Sequence, residues 1–153
     1  MTQERLFIEL LQVGVENRDQ LTVNPTPNEW AQLRWIADKQ SLTGIAIQAI
    51  EKLPHSQRPP QDQLLNWIGQ SMIIRERNRQ VSEVCYKLVT AFSQAGFNTC
   101  ILKGQSNHAY YGEELGSLRV CGDVDIWVVP KETGSEKEDV KRVLEYVYKT
   151  FKD

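Results

Sequence analysis

Several absences narrow the field before any motif is read. No apolar run in the 153 residues approaches the roughly 18–20 needed for a membrane-spanning helix, so no membrane partner is expected. The start, Met1-Thr2-Gln3-Glu4-Arg5, opens straight into an amphipathic pattern, without the basic-then-apolar shape of a signal peptide. Cysteine is scarce: Cys85, Cys100 and Cys121 are widely spaced, odd in number and form no C-x-x-C, and there are only two histidines. A zinc site is therefore not expected, and reduced thiols in a cytoplasmic protein are the simplest reading. Charge of either sign is not in excess: 18 Lys and Arg against 20 Asp and Glu give a formal −2. That balance argues against a protein that coats nucleic acid. No repeat or low-complexity tract is visible.

What is present is enough to build a core, since 41% of the residues are hydrophobic, in one domain or two small ones. Leu6, Phe7, Leu10 and Leu11 fall on one helical face over residues 3–15. Thr26-Pro27-Asn28-Glu29 reads as a capped helix start, with Thr26 as N-cap and Glu29 as its capping-box acid. A helix over 27–40 and another over 43–53 follow. A long helix is predicted from Pro60-Gln61 to about Gln94, its apolar positions being Leu64, Leu65, Ile68, Met72, Val81, Val84, Cys85, Leu88 and Phe92. Gly96 is suited to stop it. Periodicity then changes. Residues 97–102 read as a strand, Lys103-Gly104 as a turn, 105–111 as a short helix and 112–120 as a loop. Residues 124–129 read as a second strand closed by Pro130. Residues 136–151 form an amphipathic helix with Val140, Val143, Leu144, Val147 and Phe151 inside. The order predicts an α+β protein: a helical subdomain over residues 1–95, then a small α/β core over 96–153.

The stretch most suited to chemistry joins the two predicted strands. On a strand, Asp123 and Asp125 point to one side and Val124, Ile126 and Val128 to the other. Aspartate is disfavoured in strands, and adjacent carboxylates repel, a cost that is offset when a cation lies between them. Carboxylates that hold Mg²⁺ serve phosphoryl-type chemistry, because the ion bridges phosphate oxygens. Gly104, at a strand end opening a helix, lets a phosphate approach backbone N–H groups. Lys103 can add charge there and Ser106 a hydroxyl. A plain turn glycine and an exposed polar strand face are the bland alternatives.

These residues resemble the bacterial uncharacterised nucleotidyltransferase family, within the superfamily that has the polymerase-beta-like palm fold. The likeness rests on Leu102-Lys103-Gly104, on Tyr110 or Tyr111, on Arg119, and on Asp123-Val124-Asp125. The upstream block of helices fits as well. The resemblance implies a palm-type sheet with flanking helices and Mg²⁺ on Asp123 and Asp125, with room for two ions. It places Lys103, Gly104, Ser106 and Arg119 near the NTP phosphates, with Arg119 pairing with the acids as the alternative. The implied reaction moves a nucleoside monophosphate from an NTP, such as ATP, to an acceptor hydroxyl whose identity the residues do not specify. Two departures stand out. The turn is Gly104-Gln105, where Gly-Ser or Gly-Gly is usual, and no strand carrying a third carboxylate is visible before Asp153. Glu136, Glu138 and Asp139 read as a solvated face. The expectation is a minimal version or the first part of a longer chain. The rival reading is a catalytically decayed fold that serves as a protein-interaction or nucleotide-sensing module, its helices forming the partner surface.

Other candidates are weaker. Arg75, Arg77 and Arg79 splay across a helix, where a solvated face is the default. The alternative is that one or two meet phosphates or pair with Asp125. His55 and His108 read as surface or structural. Trp127, on the Asp side of its strand, is expected to pack or to stack on a base.

Overall fold

The computed structural model describes residues 2–120 and 122–151; Cys121, one of the three thiols expected to be reduced, lies outside them. Its helices are α1 (Gln3–Gly14), α2 (Pro27–Lys39), α3 (Thr43–Lys52), α4 (Gln61–Gln94), α5 (His108–Tyr111), α6 (Glu113–Leu118) and α7 (Glu136–Thr150). The strands β1 (Phe97–Ile101) and β2 (Ile126–Pro130) form a two-stranded sheet. The protein is thus α+β, mostly helical with a small antiparallel sheet. It divides into two compact units, Met1–Arg79 with His108–Cys121, and Gln80–Asn107 with Gly122–Asp153. The division falls inside α4. The first unit takes in α5 and α6, which the chain order alone had grouped with the strands.

In the first unit, α1, α2 and α3 pack with the N-terminal part of α4 around Leu6, Leu10, Trp30, Leu33, Ile50 and Trp67. The capping box at α2 is formed as expected: Thr26 Oγ1 accepts from the Glu29 N–H at 3.3 Å, and Glu29 Oε2 accepts from the Thr26 N–H at 2.7 Å. Such caps stabilise a helix start by about 1 kcal/mol. Glu9 is buried on α1, yet it accepts from the Thr22 N–H and hydroxyl, both at 2.9 Å. Burial alone would raise its pKa. The two Thr22 bonds and the charges of Arg18 and Arg5 outweigh it and hold the carboxyl below its ordinary value.

The predicted loop at 112–120 is corrected here, because residues 113–118 form α6. Two facts explain the helix. Gly112, at φ 70°, makes the reversal that starts it, and Leu118 is fully buried in the core of the first unit. Burial of a leucine contributes roughly 2 kcal/mol, enough to hold a six-residue helix with poor intrinsic stability. Leu118 sits against α3 at Gly44, where a Cβ would run into the Leu118 carbonyl group.

The bounds of α4 are as expected, and so is the burial of Cys85 and Phe92, but the rest of its inner face is not. Leu65, Ile68, Met72 and Val84 are exposed, whereas Trp67, Ser71, Ile74, Asn78, Cys85 and Phe92 are buried. The buried stripe follows helical spacing but carries two polar residues, so counting apolar residues selects the neighbouring face. Ser71 back-bonds to the Ile68 carbonyl at 2.7 Å. Asn78 Nδ2 donates to the carbonyls of Ser117 and Arg119 at 2.7 and 2.8 Å.

In the second unit, β1 and β2 run antiparallel with Phe97 opposite Pro130 and Ile101 opposite Ile126. Phe92 of α4, Phe97 of β1, and Tyr146 and Phe151 at the α7 end form an aromatic cluster with centroids 5.2–6.1 Å apart. Tyr146 also donates to the Ala91 carbonyl at 3.0 Å. The apolar side of α7 is only partly covered. Val143, Tyr146 and Val147 are half-buried, but Val140, Leu144 and Phe151, expected inside, are exposed. A two-stranded sheet is narrower than the apolar side of the helix laid on it.

Two outcomes follow for stability. Gly44→Ala forces α3 and α6 apart and is expected to cost about 1–3 kcal/mol, read as a lower urea midpoint at an unchanged slope. His108 Nε2 is buried without a hydrogen-bond partner. Burial first, and the nearby charge of Arg119 second, hold this imidazole below its ordinary pKa of 6.5. The unfolded chain therefore takes up a proton near pH 6.5 that the folded chain resists, so stability falls as pH drops below that value. In His108→Phe the decline in melting temperature between pH 7 and 5 should be flatter than in the parent chain. Equal slopes would remove His108 as its cause.

Candidate functional site

The second unit brings together Lys103, Gly104, Asp123 and Asp125, and the geometry follows from where β1 ends. Gly104 has φ +69°, a left-handed conformation that costs other L-residues roughly 1–2 kcal/mol. The chain therefore leaves the strand direction after Ile101 and enters a 3-10 turn over Gly104–Asn107. Without a partner strand beyond that point, β2 cannot extend toward its N-terminus. This corrects the expected strand: it starts at Ile126, not Val124, and both aspartates precede it. One further rung survives, since the Leu102 N–H donates to the Asp125 carbonyl at 2.9 Å. The Asp123 carbonyl oxygen lies 3.4 Å from where a Gly104 Cβ would stand. The glycine turn and the acidic segment thus lie side by side, joined by that Leu102–Asp125 bond.

The two carboxylates differ in surroundings. Asp123 is exposed and Asp125 is half-buried. Asp125 Oδ2 is buried and receives no hydrogen bond, although Lys103 Nζ lies 3.0 Å away as an ion-pair partner. The contact is Coulombic and lacks hydrogen-bond alignment. With Lys103 largely in water, such a pair contributes at most about 1 kcal/mol. Were Lys103 to turn away, that buried oxygen would suit a hard cation. Among the described residues no group of three His, Cys, Asp or Glu side chains gathers around one point. Mg²⁺ does not require such a group, because it commonly keeps several waters and takes one or two carboxylates plus substrate phosphates. The donor set fits the ion on those terms.

The remaining candidates are distributed as follows. Ser106 is half-buried in the 3-10 turn, and its neighbour Gln105 donates to Ser82 Oγ at 2.9 Å. Arg119 belongs to the first unit, where its carbonyl is held by Asn78 and its charge acts on His108. Of the three arginines on α4, Arg75 donates to Ser117 Oγ at 2.5 Å and Arg79 pairs with Glu76 at 2.8 Å. The ion-pair partner seen for Asp125 is Lys103. Glu138 caps α7 through Ser135, and Asp139 Oδ1 accepts from the Gly134 N–H at 3.0 Å. These two acids thus have structural roles. Trp127 is 52% exposed, and Tyr110 and Tyr111 are exposed too.

The role of Asn78 was missed by sequence reasoning. Its signal was available, as a polar residue four positions after Ile74 and seven after Ser71 on the buried stripe. The left-handed turn gives a direct test. Gly104→Ala should lower stability by about 1–2 kcal/mol, and Gly104→Asn by less, since asparagine enters that conformation more readily. Chemical denaturation that ranked the two variants the other way would show that space, not φ, requires the glycine.

No curated protein and no solved structure matches the chain. Residues 26–146 match a family described as uncharacterised nucleotidyltransferase. The match spans α2 to α6, the glycine turn and both aspartates, and leaves α1 outside it. The chain belongs to the uncharacterised nucleotidyltransferase family.

Proposed function

We propose that the chain is a Mg²⁺-dependent nucleotidyltransferase centred on Asp123 and Asp125. The observation that carries this reading is the backbone bond from the Leu102 N–H to the Asp125 carbonyl, which sets the Gly104 turn beside the two aspartates. Family membership supports a role in nucleotidyl transfer. In this reading the acceptor hydroxyl attacks the α-phosphorus of an NTP. One P–O bond forms, the bond to pyrophosphate breaks, and the hydroxyl proton is lost. When bound, Mg²⁺ supplies charge neutralisation on the phosphate oxygens. The two aspartates hold the ion, and one or two ions can be accommodated. Lys103 provides a positive charge next to Asp125 and can turn to a phosphate, since it is exposed and tied only by an ion pair. The N–H groups after Gly104 and the Ser106 hydroxyl line the phosphate side.

The second reading, a decayed transferase fold that binds a protein or senses a nucleotide, is favoured by one observation. The Lys103–Asp125 pair neutralises within the chain a carboxylate that a metal would otherwise use. Binding separates the two. With Mg²⁺ present, each of the four NTPs is titrated into the parent chain and into Asp123→Asn/Asp125→Asn. The transferase reading expects Mg²⁺-dependent binding that weakens about ten-fold or more in the variant, or ~1.4 kcal/mol, together with pyrophosphate release once an acceptor is supplied. Equal binding by both proteins would sink the metal assignment. Metal-independent binding unaffected by the variant would favour the sensing module.

A further inference from the structure

A pocket lies wholly within the first unit, bounded by the turn from α2 to α3, the middle of α4 and the segment after α6, with Ile73, Ile74 and Val120 supplying apolar wall. Its volume is about 240 Å³, and its lining includes Asp38, Ser41, Gln70, Arg77, Asn78 and Arg119. Ligand sites for larger organic molecules usually measure ~300–1,000 Å³, so this pocket suits a small metabolite better than a whole nucleoside triphosphate. We propose that it binds a small phosphomonoester, with Arg77 supplying charge and Ser41 and Gln70 supplying polar contacts. The proposal goes beyond the nucleotide-site reading and does not rest on it.

Three observations carry it. First, the charge in the pocket is positive. The lining holds Arg77 and Arg119 against one acid, Asp38. That acid is already engaged, since Oδ1 accepts from Thr43 Oγ1 at 2.7 Å and Oδ2 lies 3.9 Å from Arg34 Nε. Among the described residues Arg77 makes no hydrogen bond or ion pair, so its planar fork is available to an oxyanion. Second, Ser41 sits at φ 56°. It follows the C-cap of α2, where the Ser41 N–H donates to the Asp38 carbonyl and the Leu42 N–H to the Ala37 carbonyl. Glycine is the unstrained residue at that place, and serine is strained there. A hydroxyl kept at such a cost on a pocket wall points to a use for it. Third, the walls are fixed before any ligand arrives. Asn78 pins the carbonyls of Ser117 and Arg119, and the close contact of Gly44 with Leu118 locks α6 on α3. Donors drawn from two elements, the α2–α3 turn and α4, suit a tetrahedral oxyanion, whereas a planar carboxylate is satisfied by one fork.

Inorganic phosphate titrated into the full chain at constant ionic strength, followed by backbone NMR, tests the site. The expected result is saturable shifts at Ser41, Gln70 and Arg77 with weak affinity. Arg77→Gln should weaken binding about five-fold or more, ~1 kcal/mol, without lowering the melting temperature of the phosphate-free protein. Ser41→Gly should weaken binding while raising that temperature, a combination that loss of fold cannot produce. Asp123→Asn/Asp125→Asn should leave phosphate binding at this pocket intact, which separates its failure from failure of the nucleotide site. Arg119 is left unchanged because its charge also acts on His108. The proposal is overturned by an absence of saturable shifts, by equal affinity in Arg77→Gln, by shifts confined to Lys103–Ser106, or by acetate binding as tightly as phosphate.

Discussion

The contact between Gly44 and Leu118 is the constraint on which the helical unit depends. Leu118 reaches the core only because α3 presents no Cβ where its carbonyl group passes. Once seated, its side chain holds α6 as a helix and fixes the carbonyls of Ser117 and Arg119, which Asn78 then satisfies. Losing those two bonds would leave the buried Asn78 Nδ2 without these acceptors, at a cost of about 1–3 kcal/mol. The tightness of the first unit and the polarity of its inner helix face are therefore one arrangement. Ser71 and Asn78 are tolerated inside because backbone carbonyls meet them.

A different constraint shapes the second unit. β1 ends because Gly104 turns left-handed, and β2 begins late because β1 has ended. The aspartates consequently stand just outside the sheet, in chain anchored by the Leu102–Asp125 backbone bond. A carboxylate inside a regular ladder would have its position dictated by the pleat. Just beyond the ladder, Asp123 stays in water while Asp125 is half-buried. That contrast gives the pair one oxygen without a donor and one carboxylate open to solvent.

Much of this was legible in residue order where local chemistry decides. The Thr26–Glu29 box and both ends of α4 are signals carried within a few residues, and so is the arrest at Gly96. They hold because capping and glycine conformations act locally. Residues 113–118 were not legible, because Glu-Glu-Leu-Gly-Ser-Leu is a weak helix former and only the burial of Leu118 makes it a helix. Apart from Cys85 and Phe92, the inner face of α4 was misread for a related reason. Met72 and Ile68 are apolar but exposed, whereas Ser71 and Asn78 are polar but buried with partners. The start of β2 depended on where its partner strand ended, which no pattern within residues 123–130 could reveal. Of the site residues, the motif pointed to Lys103, Gly104, Asp123 and Asp125, which share the second unit. It did not indicate that Lys103 would be the ion-pair partner of Asp125, because that contact depends on the turn at Gly104.

Electrostatics then sets the two candidate sites apart. At the aspartates, negative charge gathers around a lysine that remains largely solvated, so the local field attracts a cation, and an anionic phosphate needs that cation first. In the pocket of the first unit the balance is reversed. Its one acid is bonded to Thr43 and paired with Arg34, leaving guanidinium charge to meet an oxyanion directly. A triphosphate has little reason to prefer the small positive pocket over a metal-loaded aspartate pair, because the pocket cannot enclose its base and sugar. A phosphomonoester has the opposite preference, since it gains a bidentate partner at Arg77 without requiring a metal. Charge sign and volume thus assign different ligands to the two places.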